Sequence, residues 1–222
     1  MSRAWQPSAT IDALRQRARI INQIRQFFTE RGVLEVDTPS LSHAAVSDPF
    51  LHPFATDFVP EGGGQAATLY LHTSPEYPMK RLLAAGSGPI WQLCKVFRNG
   101  EIGRRHNPEF SMLEWYRPGF DHHQLMDEVD ALVCAVLESA PARRITYADA
   151  FAEHTGLDVH GCSDADLQRL AAERCGFAGE LSRDGYLNLL FAECVEPALQ
   201  APTMVYAFPA SQAALAQIVE GD

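Results

Sequence analysis

Hydrophobic residues recur every three to four positions near the start of the chain, and this period predicts a long amphipathic helix. Thr10 is a candidate N-cap and Gly32 a candidate stop, so we expect the helix to span residues 11–31. The members of the apolar stripe are Ile20, Ile21, Ile24, Phe27 and Phe28. A stripe of this kind ordinarily packs against a protein core.

A period-two pattern in the middle of the chain predicts an antiparallel hairpin. Residues 90–98 form the expected first strand and residues 110–117 its partner. Because side chains alternate between the two faces of a strand, Cys94, Val96 and Arg98 share one face. The same geometry groups four residues of the return strand, Phe110, Met112, Glu114 and Tyr116. If the two faces coincide, one surface carries a guanidinium, an aromatic ring, a carboxylate and a phenol.

The remaining pattern predicts a mixture of strands and helices within one domain. Extended segments are expected at residues 33–38, 48–58, 68–73 and 203–208, and helices from residue 76 onward and at residues 124–138, 165–174 and 186–196. The glycine run at residues 61–65 is typical of a hairpin connection, because the Gly-Lys-Ser/Thr ending of a phosphate-binding loop does not follow it.

Composition and charge narrow the class of protein. With 222 residues and 46% hydrophobic content, the chain can bury one substantial core. A net charge of −10 argues against a broad nucleic-acid-binding surface, which needs basic side chains against the phosphates. The five cysteines are odd in number and include no Cys-x-x-Cys pair, so neither a disulfide framework nor a zinc site is indicated.

The sequence also bears on where the protein works. No apolar run approaches the ~18 residues of a membrane span, and the first residues lack the apolar block of a signal peptide. We therefore expect a cytoplasmic protein without a membrane partner.

The loop of the predicted hairpin concentrates side chains that donate hydrogen bonds to anions. Together with Arg98 they form a basic cluster sized for a nucleotide and too small for a duplex. The loop donors are Arg104, Arg105, His106 and Asn107. We interpret the cluster as a cradle for a triphosphate.

The return strand supplies partners for the rest of such a ligand. An adenine ring would stack on Phe110, and a cationic amino acid would lie against Glu114 and Tyr116. For Glu114 the alternative is a cross-strand ion pair with Lys95 or Arg117, since strands commonly pair opposite charges. Any one of these residues alone is more often an ordinary surface residue, and it is their combination that favours a site.

Three segments resemble the class II aminoacyl-tRNA synthetases. The run Arg-His-Asn-Pro-Glu-Phe at residues 105–110, followed by Met-Leu-Glu-Trp-Tyr, is similar to motif 2 in the lysyl-tRNA synthetase branch. Residues 73–82 are similar to the amino-acid-binding segment of that branch, and residues 19–41 to motif 1. The resemblance implies an α+β fold, with an antiparallel sheet flanked by helices. In this interpretation residues 1–222 form one catalytic domain, and residues 139–200 are a helical insertion within it.

The resemblance also implies an activity. Lysine or β-lysine would be activated as an acyl-adenylate with ATP and Mg²⁺. Only about ten residues precede the first helix, too few for an anticodon-binding barrel, so a tRNA acceptor is disfavoured. The resemblance implies a lysine side chain of translation elongation factor P as the acceptor. The alternatives are a lysine–tRNA ligase fragment that charges tRNA, and a non-catalytic dimerisation or amino-acid-sensing module. Motif 1 implies a homodimer.

Particular residues take roles through this resemblance. Arg98 is the expected catalytic residue. The expected ATP-binding residues are Arg98, Asn99, Gly100, Glu101, Arg104, Arg105, His106, Asn107 and Phe110, and the expected substrate-binding residues are Ser74, Pro75, Glu76, Glu114 and Tyr116. Gly100 stands where the family usually has Glu, and no metal ligand is identified. Motif 3 of the family would follow residue 222, so we expect residues 1–222 alone to be unable to form the adenylate.

Overall fold

The structure, a computed structural model, describes residues 5–48, 51–213 and 216–218. These residues form two compact units that divide between Leu137 and Glu138. Part of the extended segment expected at residues 48–58, namely Pro49 and Phe50, lies outside the described residues.

The first unit begins with the predicted amphipathic helix. Helix α1 spans Ile11–Glu30, and Thr10 caps it by accepting a hydrogen bond from the Ala13 amide at 3.1 Å. Gly32 follows the helix with a φ of +65°, a left-handed conformation that glycine adopts without strain. The helix prediction is therefore confirmed at both ends.

The other elements of this unit form two small sheets and two further helices. The strands are β1 (Leu34–Glu35), β2 (Leu41–Ser42), β3 (Ala55–Phe58), β4 (Ala67–Leu71), β5 (Ile90–Phe97) and β6 (Glu109–Tyr116), and the helices are α2 (Glu76–Ala84) and α3 (His122–Leu137). One sheet has the order β1-β5-β6, with β1 parallel to β5 and β6 antiparallel to it. The other is antiparallel in the order β2-β4-β3.

These strands confirm most of the sequence pattern. The hairpin of β5 and β6 lies within one residue of its predicted ends. The glycine run connects β3 to β4, whose ends pair Phe58 with Ala67, as expected for a hairpin connection. The strand predicted at residues 33–38 is shorter than expected, because only Leu34 and Glu35 pair as a strand with β5.

The core of the first unit lies on one face of the hairpin. Phe28 of α1 stacks on Trp91 of β5, with ring centroids 4.9 Å apart, and both side chains are fully buried. Burying a side chain of this size stabilises the fold by roughly 1.5–3 kcal/mol. The other members of this core are Ile24, Phe27, Val33 and Leu132, with Leu93, Leu113, Trp115 and Val136 packed at its edge. Helices α1 and α3 therefore occupy this face of the sheet.

The second unit has a core of its own. Its elements are β7 (Arg143–Thr146), α4 (Tyr147–Thr155), α5 (Asp164–Cys175), α6 (Arg183–Leu190), a π-helical turn (Phe191–Val195), a 3-10 turn (Glu196–Ala198) and β8 (Thr203–Tyr206). Strand β8 pairs in parallel with β7. The helices expected at residues 165–174 and 186–196 and the strand at 203–208 are present, whereas β7 and α4 were not predicted.

Two further observations concern the cysteines and the length of the helices. The five cysteines are free thiols, and each is half-buried. Within the described parts of the chain, every helix is too short or too polar to cross a membrane.

Candidate functional site

The register of the hairpin decides whether its polar side chains share one surface. Val96 lies opposite Phe110, and Gln92 lies opposite Glu114. Residues directly opposite each other in an antiparallel pair project to the same face. The two faces that the period-two pattern predicted therefore coincide. Because helices cover the face that carries Trp91 and Trp115, the opposite face carries the candidate site.

Arg98 lies one residue beyond β5, and three contacts hold its side chain. Its Nε donates to the backbone oxygen of Thr73 at 3.4 Å. Its guanidinium carbon lies 5.2 Å from the ring centroid of Phe110, within the range of a cation–π contact. Its Nη1 lies 3.6 Å from Glu101 Oε1. The side chain is 23% exposed, so it is held by the protein and still reachable by a ligand.

Glu101 reaches Arg98 because the chain turns sharply at Gly100. Gly100 has a φ of +86°, which a residue with a Cβ rarely adopts. This turn lies three residues beyond the end of β5, and it brings the Glu101 carboxylate back towards the guanidinium. Glu101 thus lies beside Arg98 although the glycine occupies the preceding position.

The rest of the loop is exposed to solvent. This group consists of Asn99, Arg104, Arg105, His106 and Asn107. These side chains can approach an anion from solvent. The basic members of this group lie between Arg98 and Phe110 in the sequence. Their assignment to the phosphates and the adenine remains a prediction.

Glu114 and Tyr116 form a hydrogen-bonded pair two residues apart on β6. The Tyr116 hydroxyl donates to Glu114 Oε1 at 2.5 Å. Burial raises the pKa of the Glu114 carboxyl, and the Tyr116 hydrogen bond opposes this shift only in part. Burial also raises the pKa of the Tyr116 hydroxyl, and the carboxylate beside it raises it further. Tyr116 therefore remains protonated and acts as a donor.

The cross-strand ion pair considered for Glu114 does not form. Lys95 pairs with Glu109, its Nζ lying 2.8 Å from Oε1. Arg117 pairs with Glu128 of α3, with Nε 3.4 Å from Oε2. That alternative is wrong because both cations have other carboxylate partners, and Glu114 remains available to a cationic ligand.

The segment Ser74-Pro75-Glu76 forms the start of α2. The Glu76 amide donates to Ser74 Oγ at 3.2 Å, and Pro75 precedes the first helical residue. A proline at this place leaves no helical hydrogen bond unmade. Lys80, one turn further along the helix, donates from Nζ to Glu76 Oε1 at 2.6 Å.

Two hydrogen bonds to backbone oxygens join this segment to the hairpin. The Phe97 amide donates to the His72 oxygen at 3.0 Å, and His72 Nε2 donates to the Lys95 oxygen at 2.6 Å. These bonds place residues 72–76 beside the end of β5. The negative charge of Glu76 consequently acts on Glu114 and raises its pKa, in addition to the effect of burial.

A cavity of about 600 Å³ adjoins the site. Its walls are formed by residues 37–46 together with residues 71–78 and the following turn of α2, and they include Ser74 and Glu76. Thr38, one of the lining residues, donates to the buried Gln92 side chain at 2.9 Å and thereby ties this wall to β5. A volume in this range suits a small-molecule ligand.

Sequence reasoning missed three contributors to this region, His72, Lys80 and Thr38. Lys80 had a readable signal, since a Lys four residues after a Glu on a helix commonly pairs with it. His72 and Thr38 act through contacts that are distant in sequence, which no local pattern encodes.

A divalent metal has no evident site in this part of the molecule. Over residues 5–48, 51–213 and 216–218, no three His, Cys, Asp or Glu side chains converge as metal ligands would. Mg²⁺ in nucleotide sites is usually held by one or two carboxylates together with phosphate oxygens, so its participation stays a prediction.

Comparison with known proteins identifies the family of the chain. Residues 5–222 match the family model for class II tRNA synthetases (D, K and N). The chain belongs to this class II synthetase family.

The curated relatives are more specific. An elongation factor P–(R)-β-lysine ligase from Vibrio atlanticus is 55% identical over 229 residues, which cover 100% of this chain and 70% of the relative. The protein of the same name from Pseudoalteromonas translucida is 56% identical over 224 residues, which cover 98% of this chain and 69% of the relative. The one from Haemophilus influenzae is 53% identical over 222 residues, which cover 98% of this chain and 68% of the relative. Within the class II synthetases, the chain thus belongs with these ligases.

Proposed function

We propose that this protein activates lysine or β-lysine with ATP and transfers the resulting acyl group to a lysine side chain of translation elongation factor P. The observation that carries the proposal is the juxtaposition of Arg98 with Phe110 on the face that also presents Glu114. The names of relatives that are 53–56% identical support the same chemistry. A ligase that modifies a translation factor works in the cytoplasm, where we expect this protein.

Arg98 and Phe110 have the chemistry that a nucleotide requires. The Phe110 ring offers a flat, half-buried surface for adenine. Arg98 would stabilise the negative charge that develops on the α-phosphate when the amino-acid carboxylate attacks it. Arg104, Arg105 and His106 would hold the distal phosphates, as charge-assisted donors do. The attack forms a bond between a carboxylate oxygen and the α-phosphorus. It breaks the bond from that phosphorus to the oxygen that bridges the α- and β-phosphates, so pyrophosphate leaves.

Two carboxylates suit the amino acid. Lysine and β-lysine each carry two ammonium groups, and Glu76 and Glu114 supply two anions close enough for the charge of Glu76 to affect the pKa of Glu114. We assign the amino group nearer the substrate carboxylate to Glu76, with Ser74 and Pro75 shaping the helix start that positions it. The side-chain ammonium would lie against Glu114, which Tyr116 orients.

The second step needs an amine as acceptor. The neutral amine of a lysine side chain attacks the carbonyl carbon of the acyl-adenylate. A carbon–nitrogen bond forms, the bond between the carbonyl carbon and the phosphate oxygen of AMP breaks, AMP leaves with that electron pair, and the attacking nitrogen loses one proton. The net charge of −10 disfavours tRNA as the acceptor, because tRNA presents a polyanionic backbone.

We also propose a homodimer through residues 19–41. β1 lies at the edge of its sheet, and Leu34 within it is 56% exposed. An exposed apolar side chain on an edge strand favours association. The oligomeric state measured by light scattering tests this proposal, and a Leu34→Glu variant should shift the protein towards monomer. A wild-type monomer at micromolar concentration would contradict it.

ATP–pyrophosphate exchange by the full-length protein tests the activation step. We expect exchange that requires lysine or β-lysine and that other amino acids support poorly. Exchange that depends on neither amino acid would contradict the proposed substrate, and no exchange at all would contradict the activity and favour a non-catalytic module.

A further inference from the structure

Lys80 is a charged residue beside the site that the proposed mechanism does not use. Its ammonium group holds Glu76, the carboxylate that we assign to the substrate's amino group, at 2.6 Å. Its charge also acts on Glu114, where it opposes the rise in pKa that burial causes. One protein cation therefore interacts with both carboxylates of the proposed amino-acid site.

The ion pair between Lys80 and Glu76 is weak enough for a ligand to displace it. It joins residues four apart on α2 and is partly exposed, with side-chain exposures of 47% for Lys80 and 31% for Glu76. Pairs with this spacing are weak, and solvent screens them further. The unbranched lysine side chain can move its ammonium group into water without a change in the helix.

We propose that Lys80 stands in for the substrate's amino group on Glu76 and, by competing with that group, weakens the binding of substrates that carry it. This inference rests on the proposed function. A ligand that carries an ammonium group at this position displaces the Lys80 ammonium and takes its place beside Glu76. A ligand without that group leaves Glu76 paired with Lys80, so it gains nothing from this carboxylate. Lys80 thereby makes binding at Glu76 an exchange of one ammonium for another.

The pair also has a role when no ligand is bound. The negative charge of Glu76 raises the pKa of Glu114. Lys80 opposes this effect and favours the ionised form of Glu114. The Lys80 ammonium then competes with the substrate's amino group for Glu76, and this competition is measurable.

A charge-removing variant tests the competition directly. Lys80→Met keeps the length of the side chain and removes its charge, while Lys80→Arg keeps the charge. In pyrophosphate exchange by the full-length protein, we expect Lys80→Met to lower the KM for lysine about twofold, the factor that a pair of this kind corresponds to. The kcat should be unchanged, and Lys80→Arg should retain the wild-type KM.

A ligand that lacks the relevant amino group isolates the effect. The compound 6-aminohexanoate is lysine without its α-amino group, so nothing in it competes for Glu76. We expect its inhibition constant against lysine to be the same for the wild type and Lys80→Met. Lys95→Met is the matched control, because Lys95 also pairs with a carboxylate, at 2.8 Å and with exposures of 54% and 53%, on the other face of β5. In this control, the KM for lysine and the inhibition constant of 6-aminohexanoate should both be unchanged.

Several outcomes would overturn the inference. An unchanged or raised KM for lysine in Lys80→Met would mean that Lys80 does not compete, and a raised value would indicate that it orients Glu76 instead. An equal gain for lysine and 6-aminohexanoate would indicate a general change in the field of the site. These results differ from a failure of the proposed function, in which the wild type would show no lysine-dependent exchange.

Discussion

The guanidinium of Arg98 lies 5.2 Å from the ring centroid of Phe110, although twelve positions separate these residues in the chain. The hairpin register creates this contact, since Val96 lies opposite Phe110 and Arg98 comes two residues after Val96 on the same face. A cation and an aromatic ring at one end of a strand pair provide complementary surfaces for the phosphates and the base of a nucleotide.

Arg98 provides the first prediction. In the full-length protein, Arg98→Ala should lower kcat for pyrophosphate exchange by about 10²–10³-fold, the usual loss when a group that stabilises developing charge is removed. Exchange kinetics measure this loss, and circular dichroism should show an unchanged fold. Arg143→Ala, which removes the exposed Arg143–Glu153 ion pair of the second unit, is the control and should retain activity. Exchange near the wild-type rate in Arg98→Ala would refute the catalytic role.

Glu114 provides a prediction on substrate choice. Glu114→Gln keeps an acceptor for the Tyr116 hydroxyl and removes the charge that would face the side-chain ammonium of lysine. The loss of a charged hydrogen bond costs ~1.5–3 kcal/mol, so the KM for lysine should rise about tenfold to a hundredfold while the KM for ATP changes little. The control is Glu109→Gln, whose carboxylate pairs with Lys95 instead. Similar losses for lysine and ATP would point to damage of the hairpin.

The pKa of Glu114 predicts how lysine affinity depends on pH. Burial raises this pKa, so the carboxyl becomes protonated at a higher pH than an ordinary glutamate, whose pKa is about 4.3. Only the ionised form attracts an ammonium group, and the affinity for lysine should therefore fall as the pH drops through the raised pKa. Titration calorimetry across this range measures the effect. The charges of Glu76, Lys80 and His72 also act on Glu114. Comparing the wild type with Glu114→Gln shows whether the pH dependence of lysine affinity comes from protonation of Glu114 or of one of these neighbours.

If Glu114 is responsible, the Glu114→Gln variant should bind lysine weakly with little dependence on pH in that window. The same pH dependence in the variant and the wild type would assign the proton to another group.

The parts of the molecule that local pattern controls were predictable from the sequence. The hairpin of β5 and β6 has alternating side chains on both strands, so its shared face followed once the register was known. Helix α1 has an apolar stripe and a capping threonine, both of which are local signals. Helix α4 has similar local signals, since Thr146 caps it and Gly156 ends it in a left-handed conformation.

Contacts between distant segments were not predictable. β1 is only two residues long because its pairing depends on the parallel neighbour β5, more than fifty positions away. The carboxylate partner of Arg117 is Glu128 on α3, and this choice leaves Glu114 free of a cross-strand pair. Such partners depend on tertiary packing, whereas strand and helix periods describe only the residues of one element.

The acceptor assay tests the central claim most directly. The full-length protein is incubated with ATP and lysine or (R)-β-lysine, together with either purified elongation factor P or bulk tRNA, and mass spectrometry and acid-precipitable label measure the products. The account predicts that elongation factor P gains the mass of one lysyl or β-lysyl group on a lysine side chain, and that tRNA gains no label. Stable labelling of tRNA, with no mass change in elongation factor P, would contradict it.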